Sequence, residues 1–597
     1  MKKLLLISTT LLIAACSPSV ETPVQDSQIE NSQIATESLF DEAWSEEITS
    51  AILDKTMRIR FAYDQSDLSE NERAAVEQLL LAGDRLHDMY MEQDHPHALD
   101  YKAALAGTSG RQDIKDIFRI FKGPIAARLD GGAQNIFTSA RDTTTPNVYP
   151  QGMEREKLSA FMEANPELKA DLLHPRSVVR YANDESKQAV LQTLDARPAL
   201  QALHPGLRER TSGASGYFAV PYSVAYADDV FYVRDRLLAA ADIMQDDDPA
   251  FARFLRLRAT DLITDNYDGG DATWIAADFK GKLNAQIGSY ETYDDPIFGI
   301  KTYFSLSLLK RDIAKSDELS KGITGIQAIE DELPYAARKT VPSRIPVGVY
   351  NVIADFGQAR GTNTATILPN ESHLAQQFGR TILIRSNVLM NDDIFAERAR
   401  SFNAAVAPEH HSDLTQEGGF YRTLWHEIGH SLGPDNTKSG GLVENALQTY
   451  DSPFEEMKAD LISLFAARRL HEKGAYTDAQ FRSIEASGIL RVLQKNKPSR
   501  SQAYGTMRLI QFNWYMDKGL LSYENGKLHI HYDKYDQAVT SLLEATLKIQ
   551  YDGDRDAAVA FVDKWTTWDA RHAEIGQAMK DAETSRYRLV TYEALGE

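Results

Sequence analysis

The segment His426-Glu427-Ile428-Gly429-His430 constrains this chain more than any other. Histidines at positions i and i+4 lie on one face of an α-helix, so both imidazoles can reach one ion. Glu427 is turned about 100° round the helix from His426, beside the coordination position left open. A carboxylate there can take a proton from water. Gly433-Pro434 ends the predicted helix soon after. The chain has a single cysteine, Cys16, which rules out an internal disulfide, a zinc ribbon and a thiol redox pair. Any metal is therefore left to histidines and carboxylates.

A carboxylate as third ligand would complete a His₂Glu zinc site and leave one position for water. Downstream lies Asp451-Ser-Pro-Phe-Glu-Glu-Met-Lys-Ala-Asp460, which reads as a helix start. Ser452 suits the N-cap, Pro453 the first turn, and Glu455, three after Ser452, completes a capping box. Met457, Leu461, Leu464 and Phe465 follow as an apolar stripe. Two acids compete for the ligand role. The capping box gives Glu455 a structural job beside the site. Glu456 is the better ligand, because Asp460 lies four residues on, on the same face, where it could accept the free ring N–H of a ligating histidine.

Charge and organisation narrow the class. The 597 residues include 65 basic and 86 acidic side chains, a formal charge of −21. Counterion release from nucleic acid needs basic stripes, so no nucleic-acid partner is expected. Residues 1–16 read as a signal peptide, a basic start and an apolar run ending Ile13-Ala14-Ala15-Cys16 that resembles the bacterial lipobox. That resemblance implies a lipidated Cys16. With Ser17 following, it implies the outer membrane of a Gram-negative cell envelope, with the lipid as the membrane contact. Residues 17–40 are polar and read as a tether. Residues 41–390 are expected to form an N-terminal lobe, helical and then mixed with β structure from about residue 270. There the runs Ile345–Ile353 and Thr381–Ile384 read as strands. Residues 391–597 read as a helical lobe carrying the metal motif. His410-His411 and His529/His531 are expected to be an exposed loop and a hairpin strand.

The pairing of HEIGH with EEMKAD resembles the dipeptidyl peptidase III family of zinc metallopeptidases, in its variant with the five-residue motif. The likeness extends to Gly288-Ser-Tyr-Glu-Thr-Tyr-Asp-Asp-Pro296 and to Thr366-Ile-Leu-Pro-Asn370, and it covers residues 270 to 530. It implies an α+β, mainly α fold of two lobes with a cleft: a helical zinc-binding lobe and a lower lobe containing a small β-barrel-like core. By the same match Glu291 would meet a peptide's N-terminal ammonium, and Tyr293 would donate to the oxyanion. Asn370 would lie on a strand that pairs with the peptide, while Tyr504 and Arg508 would line the cleft. The family has Asn where this chain has Ile367, and His where it has Tyr504. Both departures bear on how many residues are counted from the N-terminus.

The expected activity is zinc-dependent hydrolysis of peptides with release of N-terminal dipeptides. One Zn²⁺ per chain would be held by His426, His430 and Glu456, with Glu427 as general base and Tyr293 assisting. The alternative is a membrane-tethered lipoprotein that binds peptides or a partner protein and keeps a residual zinc site.

Overall fold

The computed structural model describes residues 39–597 except 131, 138–144, 277–278, 323–324, 342–345, 361–362, 369–378 and 501. Cys16 and Asn370 lie outside the described residues.

Apolar residues spaced by three and four build the N-terminal helices. In the helix Glu70–Asp94, Ala75, Val76, Leu79, Ala82 and Leu86 face inward. In Ala227–Met244 the buried set is Val230, Val233, Leu237, Ala240 and Ala241. These helices, with Pro249–Thr264, enclose a first core. The first core also receives the sheet strands β1 (Leu283–Ser289), β2 (Phe304–Arg311) and β3 (Val347–Gly357). A Cβ at Gly83 would sit 2.3 Å from the Phe356 ring. The missing side chain lets the long helix lie flat on β3.

The sheet is completed by β4 (Ala365–Leu368) and β5 (Thr381–Arg385), in the order β1-β2-β3-β5-β4. β3 and β5 run parallel, and the other neighbours run antiparallel. This sheet is open. Among the described residues β1 and β4 are its two edges and do not pair with each other. The expected barrel-like core is therefore corrected to a five-stranded open sheet, because a strand of four residues at one end pairs on one side only. β5 shows why the sheet joins the lobes: Leu383 points into the first core, and Ile382 and Ile384 into the second.

The second core is helical. It is built by α1 (Asp392–Ala405), α2 (Gln416–Gly429), α3 (Asp451–Glu472), α4 (Asp478–Val492), α5 (Ala503–Asp517) and α6 (Tyr535–Asp552). The two cores do not divide the chain at one point. Ile326, Ile329, Leu333 and Val341 pack in the second. Val590 and Tyr592 return to the first, on a last strand, Tyr587–Tyr592, that pairs parallel with Thr56–Phe61. No helix among the described residues is long and apolar enough to cross a membrane.

Candidate active site

α2 carries the motif, and His430 continues its right-handed backbone as the C-cap. α3 crosses against it, and glycine decides how closely. A Cβ on Gly429 would fall 2.9 Å from the Ala459 carbonyl oxygen and 3.0 Å from its Cα. Both are backbone atoms that cannot swing aside. This close approach brings His426, His430 and Glu456 together, with one possible ligand atom from each within 4.8 Å of the others. Gly429→Ala is accordingly expected to destabilise the protein by about 1–3 kcal/mol and to loosen the triad. An unchanged thermal midpoint in calorimetry would show that the helices have room to spare.

Glu456 Oε2 lies 3.4 Å from His426 Nε2 and 3.9 Å from His430 Nε2. The two rings stand nearly perpendicular, 4.9 Å apart. Adjacent ligand atoms of a tetrahedral zinc with bonds of ~2.1 Å are roughly 3.4 Å apart, so this spacing fits one ion. Glu456 Oε2 is buried and accepts no well-formed hydrogen bond from a described residue, an acceptor that a cation would satisfy. The electrostatics agree. Burial alone would hold His426 neutral, but Asp460 and Glu456 outweigh it and push the imidazole up to about 9. Burial likewise opposes charge on Glu456, but the two histidines hold its carboxyl below the usual range. The pocket favours positive charge.

Both histidines are backed by acids. His426 Nδ1 forms an ion-pair contact with Asp460 Oδ1 at 2.7 Å. His430 Nδ1 is hydrogen-bonded to Glu455 Oε1 at 3.0 Å. The expected capping box is not formed. A 3₁₀ turn, Gln448–Tyr450, runs straight into α3, which starts at Asp451 with no side-chain cap, so Ser452 and Pro453 are already helical. Freed from the helix end, Glu455 meets His430 and pairs with Lys458 at 2.9 Å. Lys458 is 1% exposed.

Sequence reasoning missed the groups that hold these acids. Asp460 accepts from Arg422 Nη1 at 3.0 Å, Arg491 Nε at 3.1 Å and Gln511 Nε2 at 3.5 Å. Gln550 Nε2 donates to Glu455 at 3.4 Å. Arg422 could have been found, since it precedes His426 by one helical turn on the same face. Arg491 and Gln550 come from other helices, with no local signal. Glu427 is half-buried, and no hydrogen bond or ion pair ties its carboxylate to another described residue.

The opposite wall comes from the first lobe. Asp295 organises the loop after β1 by accepting from the backbone N–H groups of Ile297, Phe298, Ile300 and Lys301 and from the Tyr149 hydroxyl. This loop presents Glu291, half-buried, and Tyr293, 77% exposed. Tyr504, on α5, is 42% exposed. Both tyrosines stand open to solvent yet are walled in by protein, and burial with nearby carboxylates keeps both phenols protonated well above their ordinary range. The carboxylates are Glu291 and Glu456 for Tyr293, and Glu456 for Tyr504. Tyr293 and Tyr504 both lie within electrostatic reach of Glu456, and Tyr293 of Glu291. Arg508 lies one turn beyond Tyr504, its guanidinium carbon 5.8 Å from that ring. Ile367 sits on the edge strand β4, opposite Ile382. A second group, Glu409, His410 and His529, could also hold an ion. Two of its ring nitrogens are in use: Ile530 N donates to His410 Nε2 at 3.1 Å, and His529 Nδ1 pairs with Glu409 at 2.9 Å. It pins the hairpin to the turn before α2.

No family model matches the chain. A protein called Nudix hydrolase 3, from Arabidopsis thaliana, is 25% identical over 542 residues, covering 84% of this chain and 68% of that protein. Dipeptidyl peptidase III from Caldithrix abyssi superposes with a TM-score of 0.75 at 22% identity, covering 90% of this chain and 98% of that one. Dipeptidyl-peptidase III from Corallococcus sp. strain EGB gives 0.71 at 23%, covering 90% and 96%. The match runs through both cores and the cleft between them: this chain has the dipeptidyl peptidase III fold.

Proposed function

We propose that the chain is a zinc-dependent peptidase that releases dipeptides from the free N-terminus of peptides, lipid-anchored through Cys16 to the outer membrane of a Gram-negative cell envelope. The observation that carries the reading is the convergence of His426, His430 and Glu456, whose Oε2 lies 3.4 and 3.9 Å from the two Nε2 atoms, beside Glu427, whose carboxylate forms no ion pair with a described residue. These three residues would hold the ion. A zinc ion held there would supply Lewis-acid chemistry, lowering the pKa of a bound water to about 7 and polarising a carbonyl. Glu427 takes the proton from the attacking water and passes it to the leaving amine. Tyr293 keeps its proton and can donate to the oxyanion as charge develops. Glu291 offers a carboxylate to the substrate's ammonium, and the edge of β4 that is unpaired among the described residues can take an extended peptide as a further strand. About a third of the Nudix-named relative lies outside the match, so the activity in its name has no assigned place in this chain.

The deciding experiment is mass spectrometry of the products from an octapeptide with a free amine and from its acetylated form, with and without a chelator. Dipeptides as the main product, suppressed by acetylation and by chelation, are expected. An internal cut indifferent to acetylation would keep the hydrolase and remove the dipeptidyl specificity. No hydrolysis in zinc-supplemented buffer would overturn the peptidase reading.

For the anchor, Cys16→Ser should move the protein from the membrane fraction to the soluble fraction. Continued sedimentation with membranes would reject lipidation at that residue.

A further inference from the structure

We propose that a cavity behind α2, on the helix face opposite the metal triad, is a binding site for a small zwitterion with one aromatic side chain: an amino acid, or a dipeptide with free ends. The proposal does not depend on the peptidase reading and gives the chain a second site.

The cavity measures about 310 Å³, the small end of the roughly 300–1,000 Å³ that ligand sites span. One wall is the stripe Glu417, Phe420 and Leu424 of α2, with Trp425 beside it. Leu424 precedes His426 by two positions, about 200° of helix rotation, so the cavity and the triad lie on opposite faces. Val349 of β3 and Tyr476, from the loop between α3 and α4, close the other side. The interior is aromatic. The Tyr421 and Tyr476 rings stand 4.9 Å apart. Trp425 Nε1 donates to the Tyr476 hydroxyl at 2.8 Å, which fixes both side chains. Space between such rings suits one more ring, packed edge-on or offset. Two hydroxyls are left open to it. Tyr476 accepts from Trp425 and donates to no described residue, and the side chain of the buried Ser386 makes no hydrogen bond with one. Each can donate to an oxygen of the ligand.

Charge decides the class of ligand. Lys315 and Glu417 both line the cavity, both are exposed at its mouth, and no ion pair joins them. Lys315 is 57% exposed, and its one ion pair is a loose one with Asp312, at 3.6 Å on its own helix. Glu417 accepts from Gln480 Nε2 at 2.8 Å, which uses one of its several lone pairs. Each charge therefore keeps capacity for a further partner. A simple anion or cation in the mouth would meet one attractive and one repulsive group, whereas a zwitterion answers both. Its carboxylate goes to Lys315, its ammonium to Glu417, and its ring points inward against Tyr476.

The test is titration calorimetry of the full chain with L-phenylalanine and the dipeptide Ala-Phe, against N-acetylphenylalanine, phenylalanine amide and L-alanine. At least one of the two zwitterions should bind saturably. Removing either charge from phenylalanine should weaken it by about tenfold, and alanine, which lacks the ring, should give no binding. Binding of Ala-Phe alone identifies dipeptides as the source, and binding of phenylalanine identifies free amino acids. Ala475→Trp, at an exposed position on the cavity rim, should plug the mouth and abolish binding with an unaltered thermal midpoint. Lys315→Gln should erase the difference between phenylalanine and its amide, and Glu417→Gln the difference between phenylalanine and its acetylated form. Affinity indifferent to both end groups, affinity that survives Ala475→Trp, or no saturable binding of either zwitterion would overturn the proposal. Ala-Phe binding that is lost in Glu291→Gln but kept in Ala475→Trp places the dipeptide in the catalytic cleft, which overturns this site and leaves the peptidase reading intact.

Discussion

Glu427→Gln is expected to fold, to bind zinc as the unaltered protein does, and to lose about 10²–10⁴-fold in kcat on free-amine peptides. The amide keeps the size of the side chain and its hydrogen-bonding capacity but cannot accept a proton from water. The structure makes this substitution unusually clean. Glu427 is half-buried and makes no hydrogen bond or ion pair with a described residue, so its replacement strands no partner. The His426–Asp460 and His430–Glu455 contacts that orient the ligands do not pass through it. Turnover within a few-fold of the unaltered protein, measured alongside zinc stoichiometry, would sink the proposed mechanism.

The second large effect is on the metal. His426→Ala and His430→Ala should each leave the purified protein without zinc, because two remaining ligands hold the ion poorly. Full occupancy in either variant would reject the triad. The neighbouring glutamates should separate by degree. Glu456→Ala should lose zinc with the histidine variants. Glu455→Gln should weaken it by about 10–100-fold, the usual effect of disturbing a residue that orients a metal-binding histidine. It should also destabilise the fold by roughly 3–5 kcal/mol, because Lys458 is left buried without its counter-charge. Competition against a chelator of known affinity gives the first quantity, and denaturant titration of the zinc-free protein gives the second. Unaltered zinc affinity in Glu455→Gln would mean that its contact with His430 does not orient the ring.

The two glutamates mark where local reading stops. Helical periodicity alone puts His426 and His430 on one face and Glu456 and Asp460 on another, since residues four apart are neighbours on any α-helix. In the first core the buried residues Ala75, Val76, Leu79, Ala82 and Leu86, and Val230, Val233, Leu237 and Ala241, follow the same spacing of three and four. The Ser-x-x-Glu pattern at Ser452 points to a capping box, and there local reading fails. Whether a helix begins at Asp451 or Pro453 is a small local preference, overridden once Glu455 can pair with His430 on α2 and with Lys458.

What the sequence determined by itself was therefore the set of chemical groups on each helix and the turn each occupies. Those depend on spacing of a few residues and on rotation about one axis. The tertiary structure alone decided how far apart the helices stand, through the missing side chain of Gly429 against the Ala459 backbone. It also decided that Arg491 and Gln511, from two further helices, end on the same carboxylate as Arg422. It left the sheet open among the described residues where a barrel-like core was expected, and it returned the last strand to the first core. These outcomes depend on contacts between residues tens to hundreds of positions apart. Their energies come from packing and from satisfying buried charge, and neither leaves a periodic trace in the chain.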